Sequence, residues 1–388
     1  SSTDSYNTAV GSNAGAAVTT GVQNTLIGGL AGDAITTANN NTAVGYGSLT
    51  ANTTGAGNTA IGRTALENNT TASDNVAVGR ATLSQNTTGA NNTAVGSLAL
   101  LLNTTAGANT AVGHSALTAN TTGANNTGLG NAALAANTTG GTNTAVGNGA
   151  LDSNTTASNN TAIGHAALTA NTTGALNAAF GKDALEANTT GEKNVAFGAD
   201  AGYTTTSGAR NVFLGMTAYG NTASSVSEIV IGYNIAGVGS NYMTVGNGST
   251  KSWLSYGATS WSGTSDSRLK DNITSSTAGL SFINDLRPVT FEWRARGTLP
   301  ETFDAYEEGS TELFNNTDKV QHGFIAQEVK AAIDAHPEIA SGHGMWQELN
   351  DGTQSLAQGQ LIPMLTKAVQ ELSTQLDAAL ARIETLEG

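Results

Sequence analysis

Ser265-Asp266-Ser267-Arg268-Leu269-Lys270 places a hydroxyl nucleophile and an amine five positions apart. A serine hydroxyl attacks a carbonyl when a base takes its proton. A lysine is that base only when neutral, which burial or a neighbouring cation brings about. Ser265 adjoins the carbonyl of Thr264, and attack there turns an amide into an ester that water opens. Local spacing alone favours a plainer reading, in which Asp266 caps a helix or partners Arg268 and the charges are solvated. The choice depends on the elements around the segment.

Upstream lies an array. Glycine recurs at a step of 17 residues fourteen times, from Gly11 to Gly232, each closing a phrase such as Asn109-Thr110-Ala111-Val112-Gly113. Between the phrases comes Ala-Leu and then Asn-Thr-Thr, as in Ala116-Leu117 and Asn120-Thr121-Thr122; the leucine keeps the same step from Leu49 to Leu185. A repeat this short cannot bury its few apolar side chains alone, so successive coils must stack and share one core. The expected fold is mainly β: a β-solenoid or β-roll of one coil per repeat, with Thr-Ala-Val as a short strand and Val or Ile pointing inward. Asn-Thr-Thr-Gly forms the surface turn, a loop or helical turn falls at Ala-Leu, and Asn side chains hydrogen-bond along the axis. Domain limits follow the pattern: a shaft over 1–232, a β-rich neck or tip over 233–264, and a different domain over 265–388.

Composition separates the same parts. Residues 1–264 carry 6 Lys/Arg and 10 Asp/Glu, whereas residues 265–388 carry 9 and 19, and the net charge is -14. Such a chain offers no basic groove for nucleic acid. Cysteine is absent, which removes disulfides and thiolate zinc sites, and nothing in the pattern calls for a metal or cofactor. No stretch of 18 apolar residues is present, so membrane insertion is not expected; the chain starts at Ser1 without a methionine, as a fragment does. The Asn-x-Thr matches in the repeat are read as turn chemistry rather than glycosylation sites.

At the far end Ile362, Leu365, Val369, Leu372, Leu376, Ala379, Ile383 and Leu386 follow at alternating steps of 3 and 4. That is a heptad seam, predicting a coiled coil over 361–387 with Pro363 in its first turn. The alternative is an amphipathic helix packed on its own domain.

Residues 265–388 resemble the endosialidase-type intramolecular chaperone domain at the C terminus of bacteriophage tail fibres and tailspikes. The landmarks are the Ser265–Lys270 segment, Leu286-Arg287-Pro288-Val289-Thr290-Phe291-Glu292-Trp293, His322-Gly323-Phe324-Ile325-Ala326-Gln327-Glu328-Val329, Pro337-Glu338 and the closing heptads. The resemblance implies an α+β domain that drives trimerisation and folding of the upstream fibre and then cuts itself free. It places the scissile bond between Thr264 and Ser265, with Ser265 as nucleophile and Lys270 as general base. His322 is a candidate to polarise or position groups there, against the alternative of a structural histidine, and Gln327 and Glu328 are read as packing or trimer contacts. The repeats resemble trimeric autotransporter adhesin heads, whose coils form left-handed β-rolls associating in threes.

Together these readings imply a homotrimeric tail fibre of the virion, made in the host cytoplasm, that binds an unidentified glycan or protein on a bacterial surface. Tyr233, Tyr242, Trp253, Tyr256 and Trp261 are the candidate contacts at the tip. A polysaccharide-cleaving tailspike needs paired carboxylates and aromatic sugar platforms. The shaft instead has scattered acids such as Asp33, Glu67, Asp74 and Asp152, and no aromatic residue between Tyr46 and Phe180. A cellular trimeric adhesin should end in a membrane β-barrel anchor, where this chain has a soluble coiled coil.

Overall fold

The computed structural model describes residues 5–258, 260–263, 265, 267–315, 317–339, 344–349 and 351–387. The chain divides into two compact units, residues 1–265 and 266–388.

The first unit is a β-solenoid with one coil per repeat. Three-residue strands at Thr8–Val10, Thr25–Ile27, Thr42–Val44 and onward to Val212–Leu214 pair in parallel, each residue opposite the one 17 positions later. The repeat is therefore the coil, and the step of 17 is the register. After Gly232 the step falls to 14, yet Tyr242–Asn247 still pairs in parallel with Ile229–Tyr233, and Gly246 stands opposite Gly232. A coil three residues shorter thus continues the same stack. Thr250–Ser255 and Ser262–Gly263 then close the sheet in antiparallel fashion.

The interior reverses one expectation. In the Thr-Ala-Val strands after the first, the alanine points inward and is fully buried, as at Ala43, Ala60 and Ala111, while threonine and the branched residue flank it on the outer face. The reason is space: the leucine of each Ala-Leu pair, from Leu49 to Leu185, already fills the middle of a coil only 17 residues around. Nor is Ala-Leu a helical turn. Those nine leucines take φ between 49° and 55°, a left-handed conformation that costs about 1–2 kcal/mol in a non-glycine residue. Burying a leucine side chain returns about 1.5–3 kcal/mol, so the turn is stable when stacked and has no reason to form alone.

The asparagines of Asn-Thr-Thr, expected at the surface, are buried. Asn120 Nδ2 donates to Asn103 Oδ1 one coil back (2.9 Å) and to the Gly123 carbonyl (2.9 Å), and Asn120 Oδ1 accepts from Asn137 Nδ2 (2.8 Å). The same row runs from Asn52 to Asn188. Phrase-opening asparagines make a second row, in which Asn109 Oδ1 accepts the Asn126 backbone N–H at 2.9 Å. Axial amide stacking was legible in the repeat, and it makes burial tolerable because the amide nitrogen of each side chain in the two rows finds an acceptor. Glu228 ends the second row: its N–H donates to Asn211 Oδ1, and its buried carboxylate accepts the N–H groups of Asn221 (3.2 Å) and Gly239 (2.8 Å).

The second unit is built from helices α1 (Leu280–Asp285), α2 (Ala326–Ala335) and α3 (Leu361–Glu387) with two antiparallel ladders. Val289–Phe291 pairs with Gln321–Gly323, and Trp346–Glu348 with Gln354–Leu356. Phe282, Val329, Ile333, Met345 and Leu361 form its core. Pro363 sits in the first turn of α3, where its missing N–H costs nothing.

Candidate functional site

Ser262–Gly263, a strand that ends two residues before Ser265, is held against Ser252 and Trp253. Thr264 and Asp266 lie outside the described residues. Ser265 is exposed, a single 3-10 turn follows at Ser267–Leu269, and the Lys270 N–H donates to the Ser267 carbonyl at 3.1 Å. Lys270 is exposed as well, between the outward apolar side chains of Leu269 and Ile273. His322 projects from Gln321–Gly323 opposite Thr290, exposed, along an open cleft lined by Pro288, Gly323 and Gln358.

Two further groups organise the unit, and sequence reading gave one of them a different role and missed the other. Glu328, in the first turn of α2, takes both Nε (3.0 Å) and Nη2 of Arg287 in a bidentate pair. The Arg287 hydrogen bond holds the Glu328 carboxyl below its ordinary range. This pair ties the Leu286–Trp293 segment to the His322–Val329 segment, and charge spacing across 41 residues gives no hint of it. Nothing in the sequence singles out His336, which stands beside Pro337-Glu338. Its ring is largely buried, edge-on to Phe282, with Nε2 2.8 Å from Asp285 Oδ2 and Nδ1 2.9 Å from Glu338 Oε1. Both ring nitrogens face carboxylate oxygens, an arrangement that favours the doubly protonated ring.

Asp285 first and Glu338 second raise the His336 pKa above its ordinary 6.5. A folded value above the unfolded one makes this contribution complete below about pH 6.5 and removes it as the pH climbs through the folded value. Glu338, lowered from 4.5 by its own backbone N–H and then by His336, acts in the opposite window: its contribution is present above pH 4.5 and lost on acidification through the lower value. The melting temperature of the second unit within the full chain is therefore expected to fall as the pH rises above about 6.5, a fall that His336→Gln flattens. Calorimetry of both proteins over that range checks it, and equal slopes would remove His336 as the cause.

The seam of α3 faces away from the domain. Ile362, Leu365, Val369, Leu372, Leu376, Ile383 and Leu386 are exposed, whereas Leu361 and Ala368, on another stripe of the same helix, pack inward. Glu371 Oε2 fixes the helix by accepting the Leu280 N–H at 2.8 Å, which caps the start of α1. The heptad face is thus not the face the helix uses to pack on its own domain.

The tip aromatics do not form one platform. Tyr242 and Trp253 are half-buried and lie on the same sheet face, since Trp253 pairs across the strands with Thr244, two residues on from Tyr242, while Tyr256 and Trp261 are exposed. Burial, with the Glu228 carboxylate adding to it, raises the Tyr256 pKa. Among the described residues no helix is long and apolar enough to cross a membrane, and no group of three or more His, Cys, Asp or Glu side chains is placed to hold a metal ion.

Fold and site together define a stacked β shaft followed by a separately packed α+β unit with an uncovered heptad helix. Residues 265–336 match the protein family described as Chaperone of endosialidase, a family associated with trimerisation. No curated protein and no solved structure is a significant match to the chain.

Proposed function

We propose that this chain is the shaft and assembly domain of a trimeric phage tail fibre. Residues 265–388 bring three copies together, guide folding of the shaft, and are released by cleavage between Thr264 and Ser265. The observation that carries the reading is the position of the family match. It begins at Ser265, where the solenoid unit ends, and the unit it opens finishes in an apolar seam on α3 turned away from its own domain. Coil stacking supports the need for such a domain. A left-handed Leu turn and a buried amide row are stable only against a finished neighbour, so the first coil is the costly one and a pre-assembled end supplies it.

Cleavage follows assembly in this scheme. Ser265, Lys270, Leu269 and Ile273 are exposed on the single chain, whereas a lysine acting as base requires desolvation or a nearby cation. Other copies covering Leu269 and Ile273 provide that desolvation. The released fibre acts in the virion and attaches to a bacterial surface, with Trp261 and Tyr256, exposed beside the cut, as the first candidates for contact. Native mass analysis of the full chain and of residues 1–264 made alone tests the chaperone role. The full chain is expected as a trimer and the short chain as monomer or aggregate; a short chain that reaches the same folded trimer unaided would defeat the proposal.

A further inference from the structure

The outer face of the solenoid carries a row that nothing in the single chain explains. The strand residue just before each glycine of the column points outward, and from Val10 through Ile231 to Val245, which precedes Gly246, it is Val, Ile, Leu or Phe at all fifteen coils. Nine of the fifteen are exposed, Val10 at 58%, Leu129 at 46% and Phe197 at 59% among them, and the other six are half-buried. Fifteen coils form a comparison within one molecule, since each solves the same packing problem. The row two positions on, directly after each glycine, contains Tyr46, Arg63, Ser97, His114, Asn131 and Lys182, the variety expected where only water is met. Strand propensity does not account for the apolar row. The first residue of the same strands lies on the same face with the same backbone, and it is mostly threonine. A continuous apolar row along a flat sheet is a surface that something covers.

The period names the occupant. Rungs repeat about every 4.8 Å, so a partner must present apolar side chains at that spacing over fifteen rungs, and a copy of this chain does so without adjustment. The rungs also differ along the row: most are Val or Ile, but Phe180 and Phe197 form a wide pair with ring centroids 5.4 Å apart. Parallel, in-register copies set wide rungs beside wide rungs. Size agrees too. The outer residues of fifteen strands, two per strand, come to about thirty side chains, against roughly 20–30 on each side of a stable protein interface.

We propose that the Val10–Val245 row is the contact between copies of this chain along the shaft, with rows from three chains converging in parallel and in register on a common axis. The inference rests on the trimeric reading above, and thiol cross-linking separates the two. The chain has no cysteine, so each substitution supplies its only thiol. The full-length trimer is made with Ile61→Cys, with Ile163→Cys, or with Thr54→Cys on the exposed turn, then mildly oxidised and run under denaturing conditions. Ile61→Cys and Ile163→Cys are each expected to link to themselves, giving about two thirds of the chains as covalent dimer because three converging thiols form one disulfide. Thr54→Cys is expected to stay unlinked. Self-linking at two heights requires parallel copies in register. If native mass shows a trimer but neither row variant links, or Thr54→Cys links instead, the row is not the contact and the trimeric reading survives. If unmodified protein is monomeric by native mass, the trimeric reading fails and this inference with it.

Discussion

Ser265→Ala is expected to hold every chain at its full 388 residues, with cleavage slowed by at least about 10³-fold, while the protein assembles as before. Ser265 Oγ bonds to the Thr264 carbonyl carbon as Lys270 takes the hydroxyl proton. The bond from that carbon to the Ser265 nitrogen breaks, and the nitrogen leaves as a protonated amine. Water then opens the ester, giving a Thr264 carboxylate and a shortened chain beginning at Ser265 with its hydroxyl restored. Alanine removes the attacking atom and leaves the backbone unchanged. Lys270→Ala keeps the nucleophile but loses the base, so a slower residual cut is expected, reduced by about 10²–10⁴-fold. Denaturing mass analysis separates the cases: two fragments meeting at residue 264/265 from the unmodified protein, one full-length species from Ser265→Ala. Should the unmodified chain remain whole after trimerisation, or Ser265→Ala be cut equally fast, the proposed autoproteolysis is wrong. Native mass of Ser265→Ala is expected to give the trimer at full chain length. A trimer that is assembled and uncut shows that folding precedes chemistry.

How much of this was legible in the chain differs by element. The step of 17 from Gly11 to Gly232 gave coil, register and axial amide stacking, because a parallel stack with one coil per repeat leaves each residue only one kind of neighbour above and below. The direction of the strands' side chains was not legible. In Thr-Ala-Val, alternation permits alanine in or threonine and valine in; hydropathy favours the second, whereas the volume already taken by Leu117 and its equivalents imposes the first. The left-handed leucines were hidden for a related reason, since local preference opposes a conformation that only stacking rewards. In the second unit, landmark segments were readable, but the Arg287–Glu328 and His336 contacts that join them arise from tertiary folding between residues 41 and 51 positions apart.

Gly113→Ala is expected to cost about 3–5 kcal/mol and Gly149→Ala no more than about 1 kcal/mol of either sign, although both are exchanges of glycine for alanine in one shaft. Gly113 has φ 138°, where side chains are strained, and a Cβ there would stand 2.3 Å from the carbonyl oxygen of Gly130 in the next coil. That oxygen belongs to the backbone of a stacked rung and cannot turn aside. The whole column, φ 121–141° from Gly11 to Gly232, meets the next glycine's carbonyl in the same way, so the 17-residue step is a steric requirement renewed at each coil. Gly149 has φ 64° with no atom within 4 Å of the added Cβ, and its equivalents one coil away on either side, Ala132 and Ala166, already hold alanine at φ 55° and 54°. Any penalty there is offset by the freedom the unfolded chain loses. Damage at Gly113 should also stay local, since each coil contacts only its neighbours: limited proteolysis is expected to open the chain near residues 113–130 while distant coils persist. Equal denaturation midpoints for the two variants, or opening at the shaft ends in both, would show that the glycine column is not what fixes the stack.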